Sequence, residues 1–181
     1  MEATKTIPVR AMCRVGAFAA LMAVCSWLSI PTTPPFTLQT LGVFLAVGLL
    51  GGKLGTAAVA VYVLLGAFGL PVFANFSGGL GVLLGTTGGY IIGFIFAALV
   101  MWGLERLLGR RLRALLVSML AGMIVYFAFG TVWFQAVYMR TTGPVGLMTV
   151  LGWCVVPFII PDLVKMALAL VITARIRPHV R

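Results

Sequence analysis

Acidic residues are nearly missing from this chain: Glu2, Glu105 and Asp162 are the only three in 181 residues. Metal ligands are equally scarce. There is one histidine, His179, and the three cysteines, Cys13, Cys25 and Cys154, show no CxxC spacing and no histidine beside them. Zinc and other metal frameworks are therefore excluded, no cofactor is expected, and the cysteines read as small apolar residues. Charge of either sign is low, at 9% of residues with 62% hydrophobic, against roughly a quarter charged in soluble domains. Such a chain has too little polar surface to cover a soluble fold, so lipid must solvate most of it. A spanning helix takes ~20 apolar residues. The expectation is an all-α integral membrane protein, a single membrane domain over residues 1–181 with six transmembrane helices and irregular outer loops.

What charge exists is lopsided, with 13 Lys+Arg and a net charge of +10. The basic residues sit in small clusters between apolar runs, with no groove-filling stretch, so a nucleic-acid partner is not expected. The apolar runs place spans at about 12–30, 36–50, 54–70, 87–108, 114–137 and 161–174. Pro31-Thr32-Thr33-Pro34-Pro35 ends the first, Gly51-Gly52-Lys53 the second and Pro71 the third, because proline and glycine punctuate helices. The last apolar stretch is broken by Pro157 and Pro161. It predicts a short re-entrant or interfacial piece, then a helix with Pro161 in its first turn, where a missing N–H is no loss. With the N-terminus inside, Lys5, Arg10, Arg14, Lys53, Arg106, Arg110, Arg111, Arg113, Arg175, Arg177 and Arg181 share one side and Arg140 stands alone on the other. The positive-inside rule then puts both termini in the cytoplasm. Residues 17–24 imitate a secretion signal, but Val24 before Cys25 fits a lipoprotein cleavage site poorly, and the segment reads as the first span. Segments 31–39, 71–85 and 140–157 fall outside. Irregular backbone at membrane depth survives only against protein or a cavity, so these loops over short spans predict a cavity facing outward.

Asp162 and Lys165 are the sharpest chemical signal. They lie three residues apart on one helix face, each costing on the order of 3 kcal/mol within a membrane helix. Either they neutralise each other as a buried pair, or they flank a polar ligand, with Lys165 meeting a carboxylate and Asp162 accepting ligand N–H groups. Asn75, in the outer loop, offers amide donors and an acceptor to a ureide or amide, or simply occupies a turn. Gln39 either faces the ligand or bonds between helices. Gly85-Thr86-Thr87-Gly88-Gly89-Tyr90 lacks the lysine and the preceding strand of a phosphate loop; its glycines suit close packing, with Tyr90 entering a cavity. Tyr126, Phe129 and Trp133 recur at helical spacing, as a packing stripe or as a ligand wall. Ala19 and Ala23, and likewise Gly16 and Ala20, are small residues four apart that let another helix approach, from within the chain or from a partner.

Phe36-Thr37-Leu38-Gln39-Thr40, Gly69-Leu70-Pro71-Val72-Phe73-Ala74, Gly78-Gly79, Gly88-Gly89-Tyr90 and the run from Pro157 through Asp162 to Lys165, in this order, resemble the BioY family, the biotin-specific substrate-capture (S) component of energy-coupling factor (ECF) transporters. The resemblance covers most of the chain, from Ala17 to about Leu170. It implies a six-helix S component in the bacterial cytoplasmic membrane, embedded in lipid, that binds biotin from outside as cargo and couples to a membrane T component driven by two cytoplasmic ATPases. It further implies ligand roles for Asp162 and Lys165, and for Asn75 in the outer loop, and a partner-docking role for Ala19 and Ala23. Thr86 stands where the family often has proline, which bears on local loop shape. Biotin's apolar bicycle, ureido group and carboxylate find complements in the aromatics, Asn75, Asp162 and Lys165. Competing readings are capture of another small vitamin, as an S component or a stand-alone transporter, an intramembrane enzyme, for which one acid within the membrane core and one tail histidine leave little to work with, and a scaffold, which leaves Asp162 and Lys165 unexplained.

Overall fold

A computed structural model describes residues 8–32 and 34–177. Lys5, His179 and Arg181, assigned above to the tails, lie outside the described residues. The chain folds as α1 (Val9–Trp27), a two-stranded hairpin β1 (Ser29–Ile30) and β2 (Phe36–Thr37), α2 (Gln39–Leu50), α3 (Gly52–Ala67), α4 (Leu80–Leu84), α5 (Gly88–Leu108), α6 (Leu112–Thr141), α7 (Leu147–Cys154) and α8 (Val156–Ile176). The six expected helices are thus eight among the described residues. Four of them, α1, α5, α6 and α8, are long and apolar enough to cross a bilayer.

α2 explains how a short helix serves here. Its sequence is apolar on every face, the signature of a helix surrounded by protein. Every residue from Gln39 to Gly48 is buried, and α1, α3, α5 and α8 all pack on it. At 12 residues it extends about 18 Å, short of a hydrocarbon core of ~30 Å. Gly48 permits the close crossing with α8, since a Cβ there would lie 2.6 Å from Thr173 Oγ1. Gly51 turns the chain into α3 with φ +83°, a conformation that favours glycine. α8 divides cleanly: Asp162, Lys165, Met166, Ala169 and Thr173 face inward, while Val164, Leu168 and Val171 are exposed, as for a helix with lipid on one side.

Several expected boundaries move. The second segment begins at Gln39 rather than Phe36, because Phe36 and Thr37 pair with Ile30 and Ser29 in the hairpin. The third runs Gly52–Ala67, and the fifth lengthens to Leu112–Thr141. The last helix starts at Val156, five residues before the expected Pro161, which sits inside it. Pro157 takes the first-turn position instead, and Pro161 forfeits only the bond its own N–H would have made to the preceding turn. Ala19 and Ala23 are 2% and 5% exposed, packed within the chain where α1 meets α2 and α3. Intramolecular packing therefore accounts for them, and an exposed docking surface does not.

Charge marks one end of the bundle. Arg110 Nε meets Glu105 Oε1 at 2.7 Å, the Gly52 N–H donates to Glu105 Oε2, and Arg177 Nη1 donates to the Arg110 carbonyl at 2.8 Å. These contacts tie the α2–α3 turn, the α5–α6 turn and the end of α8 together. At the opposite end Trp27 Nε1 donates to the Pro71 carbonyl at 2.8 Å, fastening the end of α1 to the loop after α3.

Candidate functional site

At the end away from the arginines lies a cavity of about 300 Å³, within the range of small-molecule sites. Its walls are largely aromatic and apolar, with Phe73, Tyr90, Ile91, Phe94, Tyr126, Phe127 and Phe158 among them. Its outer rim comes from two loops: Thr32, Pro34 and Pro35 beside the hairpin, and Ala74, Asn75 and Ser77 after α3.

Asp162 and Lys165 face this cavity from α8. Lys165 Nζ donates to Asp162 Oδ1 at 2.6 Å, with side-chain exposures of 7% and 4%. Thr40 Oγ1 donates to the same carboxylate oxygen at 3.1 Å, and the Tyr126 hydroxyl donates to the other. Three helices therefore converge on one carboxylate, which satisfies a buried charge as burial demands. The ammonium of Lys165 lies 4.4 Å from the centroid of the Phe36 ring, and Phe36 stacks on Phe158 at 6.0 Å. Asp162 and Lys165 follow the start of α8 at Val156 by six and nine residues, about 9 and 14 Å below that helix's outer end.

A second polar chain lies beside it. Gln39 Nε2 donates to the Tyr62 hydroxyl at 2.6 Å, which donates to the Val72 carbonyl at 3.0 Å. The link anchors the loop after α3 to the core. In that loop Asn75 adopts a left-handed conformation, φ 56°, which asparagine tolerates better than most residues. Its Oδ1 accepts from Ser29 Oγ at 3.1 Å, joining the loop to the hairpin.

This arrangement has close counterparts. The sequence profile of the BioY family matches residues 1–181. The chain belongs to the BioY family. The biotin transporter BioY of Thermotoga maritima is 44% identical over 172 residues, covering 93% of this chain and 96% of that protein. The biotin transporter BioY of Rhodobacter capsulatus is 37% identical over 169 residues, covering 83% and 84%. A crystal structure of the S component for biotin from an ECF-type ABC transporter superposes with a TM-score of 0.81 at 29% identity, covering 97% of this chain and 95% of that one.

Among the residues singled out from sequence, this BioY chain brings Asp162, Lys165, Asn75, Gln39, Tyr90 and Tyr126 to one cavity. Trp133 does not join them. It lies behind the start of α5, where its Nε1 donates to the Gly85 carbonyl at 3.0 Å and its ring stacks on Phe129 at 6.0 Å. Tyr126 and Trp133 are seven residues apart on α6, but Trp133 packs where Gly89 leaves room: a Cβ at Gly89 would lie 2.2 Å from Trp133 Cβ. Thr40, Phe36 and Phe73 were quoted above as parts of motifs without a role of their own, and Phe94 and Cys154 line the cavity without a spacing signal to announce them.

Proposed function

We propose that this BioY chain captures biotin from the outer side of the bacterial cytoplasmic membrane and serves as the S component of an ECF-type transporter. The observation that carries the reading is the Asp162–Lys165 pair inside an aromatic cavity, at the end of the bundle opposite the arginines. By the positive-inside rule the arginine-rich end is cytoplasmic, so the cavity faces outward. The chain acts as a single membrane domain with six traverses, α1, α2, α3, α5, α6 and α8, with both termini inside; protein around α2 lets a short helix count as one. Biotin is cargo, and the reading assigns the chain no catalytic step and no cofactor.

The pair is already balanced in charge, which bears on ligand orientation. A ligand carboxylate placed on it would leave a net negative charge in a buried site, a costly arrangement. The neutral ureido group suits it better, its carbonyl accepting from Lys165, with Asp162 holding the ammonium in place while the Thr40 and Tyr126 hydroxyls donate to the same carboxylate. The bicycle then packs on Phe73, Phe94, Tyr90 and Tyr126, and the valerate carboxylate reaches the rim, where the side-chain amide of Asn75 donates to it. No nucleotide-binding loop occurs in the chain, so the energy for release inward comes from a membrane T component and two cytoplasmic ATPases.

Uptake of labelled biotin into proteoliposomes tests this. The chain reconstituted with a T component and ATPases should accumulate biotin with ATP, and Lys165→Ala should not. Equal ATP-independent accumulation by the chain alone would make it a stand-alone transporter.

A further inference from the structure

We infer that Phe36 is a positioning residue for the ligand, acting through the Lys165 ammonium by a cation–π contact; the inference rests on the biotin-capture reading above. Lys165 Nζ reaches Asp162 on one side and the face of the Phe36 ring, 4.4 Å away, on another. The two contacts differ in kind. Asp162 takes one N–H along a single direction, whereas the ring face attracts the whole cation without consuming a proton. Asp162 together with Phe36 therefore fixes where the ammonium sits and leaves N–H donors directed at the cavity for a ligand acceptor.

The ring itself is held from both ends. Phe36 pairs with Ile30 in the hairpin, and its backbone N–H donates to Thr32 Oγ1 at 3.2 Å. On its other side it stacks on Phe158 with an interplanar angle of 24°. Phe158, Asp162 and Lys165 are at i, i+4 and i+7 along α8, so one helix face carries the ring's stacking partner, the carboxylate and the ammonium. The hairpin thus delivers an aromatic face onto a charge that α8 presents, and ligand affinity depends on the electron density of that face rather than on its bulk alone.

Fluorinated phenylalanines separate the two contributions. Fluorine withdraws charge from the ring face with little change of volume, so mono-, di- and trifluorophenylalanine at position 36 should weaken biotin binding stepwise, on the order of tenfold across the series. Phe36→Tyr should bind like the wild type, and Phe36→Leu, which keeps an apolar side chain, should match the trifluoro form. A ligand-free readout runs in parallel. Lys5, Lys53 and Lys165 are the three lysines of the chain, so the ε-methylene resonances of isotopically labelled lysine give a simple spectrum. One of them should be shifted upfield by the ring and lose that shift in Phe36→Leu and in Lys165→Met. Affinity that stays flat across the fluorinated series, with the wild type binding biotin, overturns the inference, as does the absence of any ring-shifted lysine. A ring-shifted lysine in a wild type that binds no biotin refutes the biotin reading and leaves the Phe36–Lys165 contact standing.

Discussion

Replacing Lys165 by methionine leaves the Asp162 carboxylate, 4% exposed, without its counter-ion. Breaking a buried pair in this way costs about 3–5 kcal/mol. Two donors remain to Asp162, the hydroxyls of Thr40 and Tyr126, which places Lys165→Met at the lower end. Asp162→Leu is worse, because it strands a buried ammonium and leaves both of those hydroxyls without their acceptor. The double variant Asp162→Leu/Lys165→Met removes both charges and fills the space with apolar atoms, which by itself is neutral or better in comparable sites, and keeps only the cost of the two hydroxyls left without their acceptor. For a chain of this size each kcal/mol moves the melting temperature by about 2–4 °C. Lys165→Met should therefore fall by roughly 6–12 °C, Asp162→Leu by more, and the double variant should fall by less than Asp162→Leu alone, because no unpaired ammonium remains. Melting is read in detergent with a fluorogenic maleimide in a Cys154→Ser background, since Cys25 is buried and reacts only on unfolding, while exposed Cys13 sets the baseline. Additive losses in the double variant would refute the account of these two residues as one charge-balanced unit.

Three further outcomes follow from the packing. Gly130→Ala would bring a Cβ within 2.2 Å of Tyr90 Cδ1, so the ring must leave the cavity wall; a melting cost of about 1–3 kcal/mol and weaker biotin binding are expected, whereas Gly16→Ala, with nothing within 4 Å of the new atom, should be neutral or gain up to ~1 kcal/mol of stability. Tyr62→Phe removes the hydroxyl shared by Gln39 and the Val72 carbonyl, and should cost about 1–3 kcal/mol in the same thermal assay. Cys154 lines the cavity, so in a Cys13→Ser/Cys25→Ser background saturating biotin should slow formation of its mixed disulfide with a small methanethiosulfonate reagent, and an unchanged rate would place the ligand elsewhere.

Asp162 and Lys165 were legible in the sequence because charge within an apolar run has no route to water and must be answered by something. The long helices α5 and α6 were legible because Gly88-Gly89 and the arginine cluster bracket unbroken apolar runs. Pro161 misled because proline is far commoner at a helix start than inside; Pro157, four residues earlier, already filled that place. Ala19 and Ala23 misled because small residues at helical spacing carry no sign of whether the approaching helix belongs to the same chain. Trp133 shares its helix with Tyr126, but which side of α6 meets the cavity depends on how α5 leans against it at Gly89 and Gly93, a tertiary fact. The hairpin that sets Phe36 over Lys165 joins only two residues on each strand, too short a run for alternation to register.

Equilibrium binding of radiolabelled biotin to the purified chain, beside Lys165→Met and the Asp162→Leu/Lys165→Met double variant, tests the central claim most directly. The account predicts saturable binding of one biotin per wild-type chain, and none by a double variant that is folded at the assay temperature. Wild-type-like binding by that folded double variant, or no saturable binding by the folded wild type, would contradict it.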